Sequence, residues 1–188
     1  MNKTIILLAG FTSSKDGCFH GSIGAGKTTI ANALSQYGFE KFSFADKLRE
    51  ILRVMYPNFN WNDKKHYNET WLNGWSAREI AEKVGDCLTD MDPNYFCHEL
   101  ARSILRSRSQ RIVIDDIRTV PEWEFIKNFA VTQQEELHCF TLCREVETVR
   151  VSIIEMKAFA LASFFQKVNN NGSIEDSIQT ILETIKSK

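Results

Sequence analysis

Gly21-Ser22-Ile23-Gly24-Ala25-Gly26-Lys27-Thr28 is a complete G-x-x-x-x-G-K-T run, the spacing of a phosphate-binding loop. Glycines let the backbone curl so that successive N–H groups face phosphate oxygens. Lys27 adds a mobile positive charge for the β- and γ-phosphates, and the Thr28 hydroxyl can ligate Mg²⁺. Thr29-Ile-Ala-Asn-Ala-Leu34 then reads as a helix whose N-terminus faces the same anion. The cradle for a nucleotide's phosphates is therefore expected from Gly21, Ile23, Gly24, Ala25, Gly26, Lys27, Thr28 and Thr29. An apolar strand should run into such a loop. Thr4-Ile-Ile-Leu-Leu-Ala9 has that composition, yet residues 10–20 stand between it and Gly21.

Downstream of the loop, apolar runs and helical stripes alternate. Ile30, Ala33, Leu34 and Tyr37 fall on one helical face, which Gly38 closes. Phe39–Phe44 is expected as a second strand. Leu48, Ile51, Leu52 and Met55 mark a helix from near Asp46 that Pro57 ends. Residues 56–75 are aromatic and polar without a period, and read as a substrate-side loop or irregular insert, or simply as partly buried aromatics. Ser76-Ala-Arg-Glu79 is a capping box for the next helix. Asp92-Pro93 then restarts the chain as another helix, with Asp92 as N-cap and Pro93 at its first position.

Arg111-Ile-Val-Ile-Asp115 is a buried strand ending in acid. Thr119-Val-Pro-Glu122 opens a helix with a second capping box, and Leu137–Cys143 is a further strand. Residues 146–160 read as helix, Ser163–Val168 as either a helix end or a last strand. Asn169-Asn-Asn-Gly172 is a turn before a final amphipathic helix capped by Ser173. Strands alternating with helices after a phosphate loop predict an α/β fold: a three-layer α/β/α phosphate-loop domain on a mostly parallel five-stranded sheet. The whole of 1–188 is expected as one domain, with an acceptor-binding or insert region at about 46–107 and a short lid at about 144–160.

The 188 residues are 43% hydrophobic and 25% charged, with a net charge of −1. That is ordinary globular composition, and gives no support for stable nucleic-acid or membrane-surface binding. The longest apolar run, Ile5–Ala9, is far too short to span a bilayer and makes a poor secretion signal. Five cysteines without a C-x-x-C pair favour reduced thiols. The chain is accordingly expected in the cytoplasm, in that of a host if it is viral. A homodimer is compatible with all of this.

A phosphate loop alone does not distinguish a kinase from an ATPase or a GTPase. Ile112-Val-Ile-Asp115-Asp116 places carboxylates at a strand's carboxyl end, where they can hold Mg²⁺ and its waters. No N-K-x-D segment for guanine recognition is present.

Phe44-Ala-Asp46-Lys-Leu48-Arg49, Arg78-Glu-Ile-Ala-Glu-Lys-Val-Gly85, Met91-Asp-Pro-Asn-Tyr-Phe96 and Val113-Ile-Asp-Asp116-Ile-Arg118 follow in that order. Together they resemble the deoxynucleoside monophosphate kinases of tailed bacteriophages, in the nucleoside monophosphate kinase family. The resemblance covers most of residues 1–145, and Asn170-Asn-Gly172-Ser-Ile-Glu-Asp176 also fits it. It implies transfer of the γ-phosphoryl of ATP to a (deoxy)nucleoside monophosphate, with Mg²⁺ near Thr28 and Asp115 or Asp116. Lys27, Asp116, Arg118, Arg144 and Arg150 become the catalytic candidates, the last two as lid arginines or as exposed salt bridges. Asp46, Arg49, Arg78 and Arg118 become the acceptor-side candidates. Asp46 would hydrogen-bond the sugar or base, or only cap its helix. Arg78 lies in a first helical turn, where a cation opposes the dipole, and a guanidinium there suits an acceptor phosphate.

Three features depart from the family's pattern: Asp86 after the helical glycine, a short region after Arg144, and segment 59–75. The loop also resembles that of dephospho-coenzyme A kinase, and a nucleotide-binding regulator without turnover would keep the same fold. Finally, Gly10-Phe-Thr-Ser-Ser-Lys15-Asp16 resembles a degraded copy of the family's own loop. Either Phe11–His20 is an insertion, or this first motif is the one used. The second is favoured because it alone has both glycines, the Lys and the Thr followed by a helix.

Overall fold

The computed structural model describes residues 2–14, 19–21, 24–61, 66–146, 161 and 164–187. Among them the chain runs β1 (Thr4–Ser13), β2 (Phe19–Gly21), α1 (Lys27–Leu34), β3 (Glu40–Phe42), α2 (Ala45–Met55), β4 (Thr70–Leu72), β5 (Trp75–Ser76), α3 (Ala77–Met91), α4 (Tyr95–Arg106), β6 (Arg111–Ile114), α5 (Val120–Gln133), β7 (Glu136–Glu145), β8 (Gln166–Asn169) and α6 (Ile174–Lys186). Contacts divide it into two units, one of Met1–Ser43 with Ile104–Lys188 and one of Phe44–Ser103.

The first unit is an α/β layer structure. Its five parallel strands lie in the order β3-β6-β1-β7-β8, and β2 adds an antiparallel pairing to β1. Strand alternation sends Ile6, Leu8, Val113, Phe140, Leu142 and Val168 to one face, where they pack against Ile30, Ala31 and Leu34 of α1 and Ile178 and Ile181 of α6. Ile5, Leu7, Ile112 and Ile114 alternate to the other face and are equally buried, as period two requires. There α5 packs on β7 with Ile126 and Ala130 buried. The connection from β1 leads to β3 on one side, and that from β7 leads to β8 on the other. The carboxyl ends of β1 and β7 thus flank a topological switch point, where open α/β sheets bind ligands.

β1 is longer than its apolar run. Gly10–Ser13 continues the ladder opposite Leu142–Glu145 of β7. β6 pairs with β1 only as far as Leu7, so the far part of that edge is open, and β2 occupies it through Thr12↔Gly21 and Ser13↔Phe19. Gly10 opens this stretch against strand propensity; the backbone of β7 alongside supplies the partner. Other boundaries also move. The expected strand 39–44 is only Glu40–Phe42. α4 is helical from Tyr95 rather than from Pro93, although the Asp92 carboxylate accepts from Asn94 N–H at 2.9 Å as a cap would. Residues 166–169 are strand, while 147–160 and Ser163 lie outside the described residues. Tyr37 stands in a 3₁₀ turn and is 43% exposed, because the tighter turn rotates it off the α1 face.

The second unit has its own core. Leu52, Trp61, Ala77 and Ile80 are buried, with Leu48, Tyr56, Phe59, Tyr67 and Leu72 packed on them. Trp61 is 1% exposed; its ring lies 4.6 Å from that of Phe59 and 6.0 Å from those of Tyr67 and Trp71. The aperiodic aromatics between 56 and 71 are therefore largely a packed cluster, since large rings bury more area per residue than a short segment could otherwise offer. No helix among the described residues is long and apolar enough to cross a membrane.

Candidate active site

The phosphate loop returns from β2 and opens α1. Gly24 has φ 85° and Gly26 φ 88°, left-handed values that L side chains rarely adopt. Gly26 is the N-cap, Lys27 the first helical residue, and Ile30 N–H donates to Gly26 O at 3.0 Å. No acidic side chain lies in this first turn, so the helix N-terminus presents uncancelled positive potential. Ala25 is buried, Lys27 half-buried, and Thr28 and Thr29 exposed. Ile23 lies outside the described residues, as do Lys15 and Asp16. Gly10–Ser13, by contrast, is extended and laddered to β7. A backbone so committed cannot curl around a phosphate, so of the two motifs only the second has a loop's geometry among the described residues.

Arg144 ends up beside this loop. A methyl group on Gly26 would stand 4.0 Å from Arg144 Nη1 and 2.5 Å from Asn170 Nδ2. Asn170 is a residue that the sequence pattern placed in a turn and in the closing segment that fits the resemblance, without a site role. Its side chain donates to Ala25 O at 2.7 Å and accepts from Ser177 Oγ at 2.8 Å. Its run of asparagines before glycine signals a turn, but nothing local reveals a partner 145 positions away. Arg150 lies outside the described residues.

The acidic strand end sits on the same carboxyl edge, beside β1's neighbour β6. Asp115 N–H donates to Phe42 O at 3.4 Å. Its carboxylate is 6% exposed and stands 3.8 Å from Lys41 Nζ. Asp116 accepts from Ser43 Oγ. The following loop wraps around Glu122, whose Oε2 accepts from Arg118 N–H at 2.8 Å and Thr119 N–H at 2.9 Å. Burial pushes the Glu122 carboxyl above its ordinary range; the Asp116 charge adds to this, and the two backbone donors oppose it. The Arg118 side chain is exposed. Lys41 and Ser43 were not legible as partners, because Lys41 lies in the short strand β3 and Ser43 just after it, and they meet the acids only because β3 pairs with β6.

The remaining candidates lie in the second unit. Arg49 Nη2 pairs with Asp46 Oδ1 at 2.7 Å, one turn apart on α2. Arg78, at the start of α3, donates from Nε to Asn68 Oδ1 at 2.7 Å, and its backbone N–H donates to Tyr67 O. The capping box of α3 forms as expected, Ser76 Oγ accepting from Glu79 N–H and Glu79 Oε2 from Ser76 N–H. The Ser76 hydroxyl, which also donates to Glu79 Oε2 at 2.7 Å, and then the Ser76 N–H hold the Glu79 carboxyl below its ordinary range.

No family model matches the sequence, and no curated protein matches it. Solved structures do. The Thermus thermophilus protein TT1252 is 16% identical with TM-score 0.51, over 100% of this chain and 98% of its own. A candidate kinase of Chloroflexus aurantiacus is 15% identical with TM-score 0.50, over 99% and 97%. The Mycobacterium tuberculosis APS kinase CysC in complex with AMPPNP and APS is 12% identical with TM-score 0.48, over 98% of each chain. At such identities the likeness is one of fold.

Proposed function

We propose that the protein is an ATP-dependent phosphotransferase that converts a deoxynucleoside monophosphate to its diphosphate. One arrangement carries the reading: two left-handed glycines open a helix at Lys27, with the Arg144 guanidinium alongside. That is a cradle of backbone donors and two cations for a polyphosphate. An oxygen of the acceptor's phosphate attacks the γ-phosphorus, the bond to the β–γ bridging oxygen breaks, and ADP leaves with the electron pair. Such a reaction asks the protein mainly for alignment and charge neutralisation. The loop amides and Lys27 hold the β- and γ-phosphates, and Arg144, with Arg150 and Arg118 as further cations, meets the transferred group. Asp46, Arg49 and Arg78 serve the acceptor, as the phage kinase resemblance implies. The Thr28 hydroxyl and the Asp115 and Asp116 carboxylates are hard oxygen donors that suit Mg²⁺, which when bound offsets phosphate charge.

The test is an assay of Mg·ATP against a panel of deoxynucleoside monophosphates, ribonucleoside monophosphates and dephospho-coenzyme A. ADP formation with a deoxynucleoside monophosphate is the expected result. Product with dephospho-coenzyme A alone, or nucleotide binding without transfer to any acceptor, overturns the proposal.

A further inference from the structure

The turn that follows β8 reaches the phosphate loop by two adjacent asparagines. Asn170 is 8% exposed, and both ends of its amide are engaged. Nδ2 donates to Ala25 O at 2.7 Å, Oδ1 accepts from Ser177 Oγ at 2.8 Å, and its backbone N–H donates to Cys143 O at 2.8 Å. The Ala25 carbonyl only accepts, so the NH₂ end of the amide must face the loop, and the Ser177 hydroxyl then donates to the oxygen left behind. Ser177, 1% exposed in the first part of α6, has Asn169 O at 3.2 Å as a second acceptor. The next residue, Asn171, accepts from Glu145 N–H at 2.7 Å through Oδ1. One short turn thus grips the loop at Ala25 and β7 at the residue after Arg144. The approach is close: a methyl at position 26 would stand 2.5 Å from Asn170 Nδ2, so a side chain there must displace the amide.

We infer that Asn170 is a positioning residue: it holds the Ala25 carbonyl so that the loop's N–H groups face the nucleotide at a set distance from Arg144. The inference rests on the nucleotide-cradle reading of the loop. An amide is suited to the task because it donates and accepts at once. A loop carbonyl that is buried without a donor would turn to find one, taking the adjacent N–H groups with it.

Asn170→Asp isolates the contact. It keeps the size of the side chain and its acceptor for Ser177, but sets a carboxylate oxygen against Ala25 O. Ser177→Ala is the counterpart, removing the support and leaving the donation. With Mg·ATP and a deoxynucleoside monophosphate, Asn170→Asp is expected to raise the ATP KM about tenfold. The acceptor KM should stay within about twofold, and Ser177→Ala should shift the ATP KM by less than about threefold. In the ligand-free protein, amide hydrogen exchange at Ala25–Thr28 should quicken in Asn170→Asp while β1 and β7 keep their protection. Should Asn170→Asp fail to fold, Asn170→Ala replaces it. In the wild type, ATP should slow exchange at Asn170 together with the loop. Unchanged ATP KM and loop exchange, equal losses in the two variants, or protection confined to the loop would each sink the inference while leaving the kinase reading in place. Quickened loop exchange in a protein that transfers phosphate to no acceptor would sink the kinase reading and leave the clamp.

Discussion

Lys27 and Gly26 are where a single change says most. Lys27 is the first residue of α1, so its charge adds to that of the helix N-terminus rather than to an isolated loop. Lys27→Ala is expected to abolish ATP binding, measured by titration with a fluorescent ATP analogue, whereas Lys15→Ala should largely spare it. The reverse result would move the site to the upstream motif. Gly26→Ala meets two separate penalties, a φ of 88° and a contact of 2.5 Å with Asn170. It should cost roughly 1–3 kcal/mol of stability as well as nucleotide affinity. Chemical denaturation would detect the first effect and the same titration the second. A Gly26→Ala protein that matches the wild type in both would contradict the described backbone.

Elements are set partly by their ends. α5 begins with Thr119 and Glu122 in a capping box, yet Glu122 carries an opposing burden. Burial raises its carboxyl above the ordinary 4.5, so the folded protein holds that proton more tightly than the unfolded chain. The resulting contribution is fully present below the unfolded value and is lost as pH rises through the folded one. Wild-type stability relative to Glu122→Gln should therefore fall with rising pH across that window, read as Tm at a series of pH values. A gap that widens with pH would reverse the assignment. In the second unit, Trp61 is the largest side chain of a small core. Trp61→Ala should destabilise by about 3–5 kcal/mol, visible as a lower midpoint in urea; a loss below 1 kcal/mol, roughly an ordinary surface change, would mean the cluster is not packed as described.

At the scale of the whole molecule, a ligand that binds only the folded protein stabilises it by mass action. ATP at a hundred times its Kd should contribute about 2.7 kcal/mol, seen as a rise in Tm that Lys27→Ala abolishes. An equal rise in both proteins would place the nucleotide elsewhere. The same scale separates what local pattern can and cannot specify. The loop, the capping boxes at Ser76 and Thr119, the cap at Ser173 and the acidic end of β6 were all legible, because each depends on residues within a few positions or on a simple period. Alternating strands and helices likewise specified the α/β class. Other features depended on partners distant in the chain. β1 reaches Ser13 because β7 runs alongside it and β6 stops short, and Asp115 meets Lys41 because β3 pairs with β6. The loop's position depends on Asn170, 145 residues beyond Ala25. Sequence by itself determined the loop motif and its local character, since a run of glycines with Lys and Thr carries its own backbone freedom and charge. Only the tertiary structure decided how that loop is mounted, since an unpaired strand edge and a buried carbonyl are satisfied by whichever groups the fold brings to them.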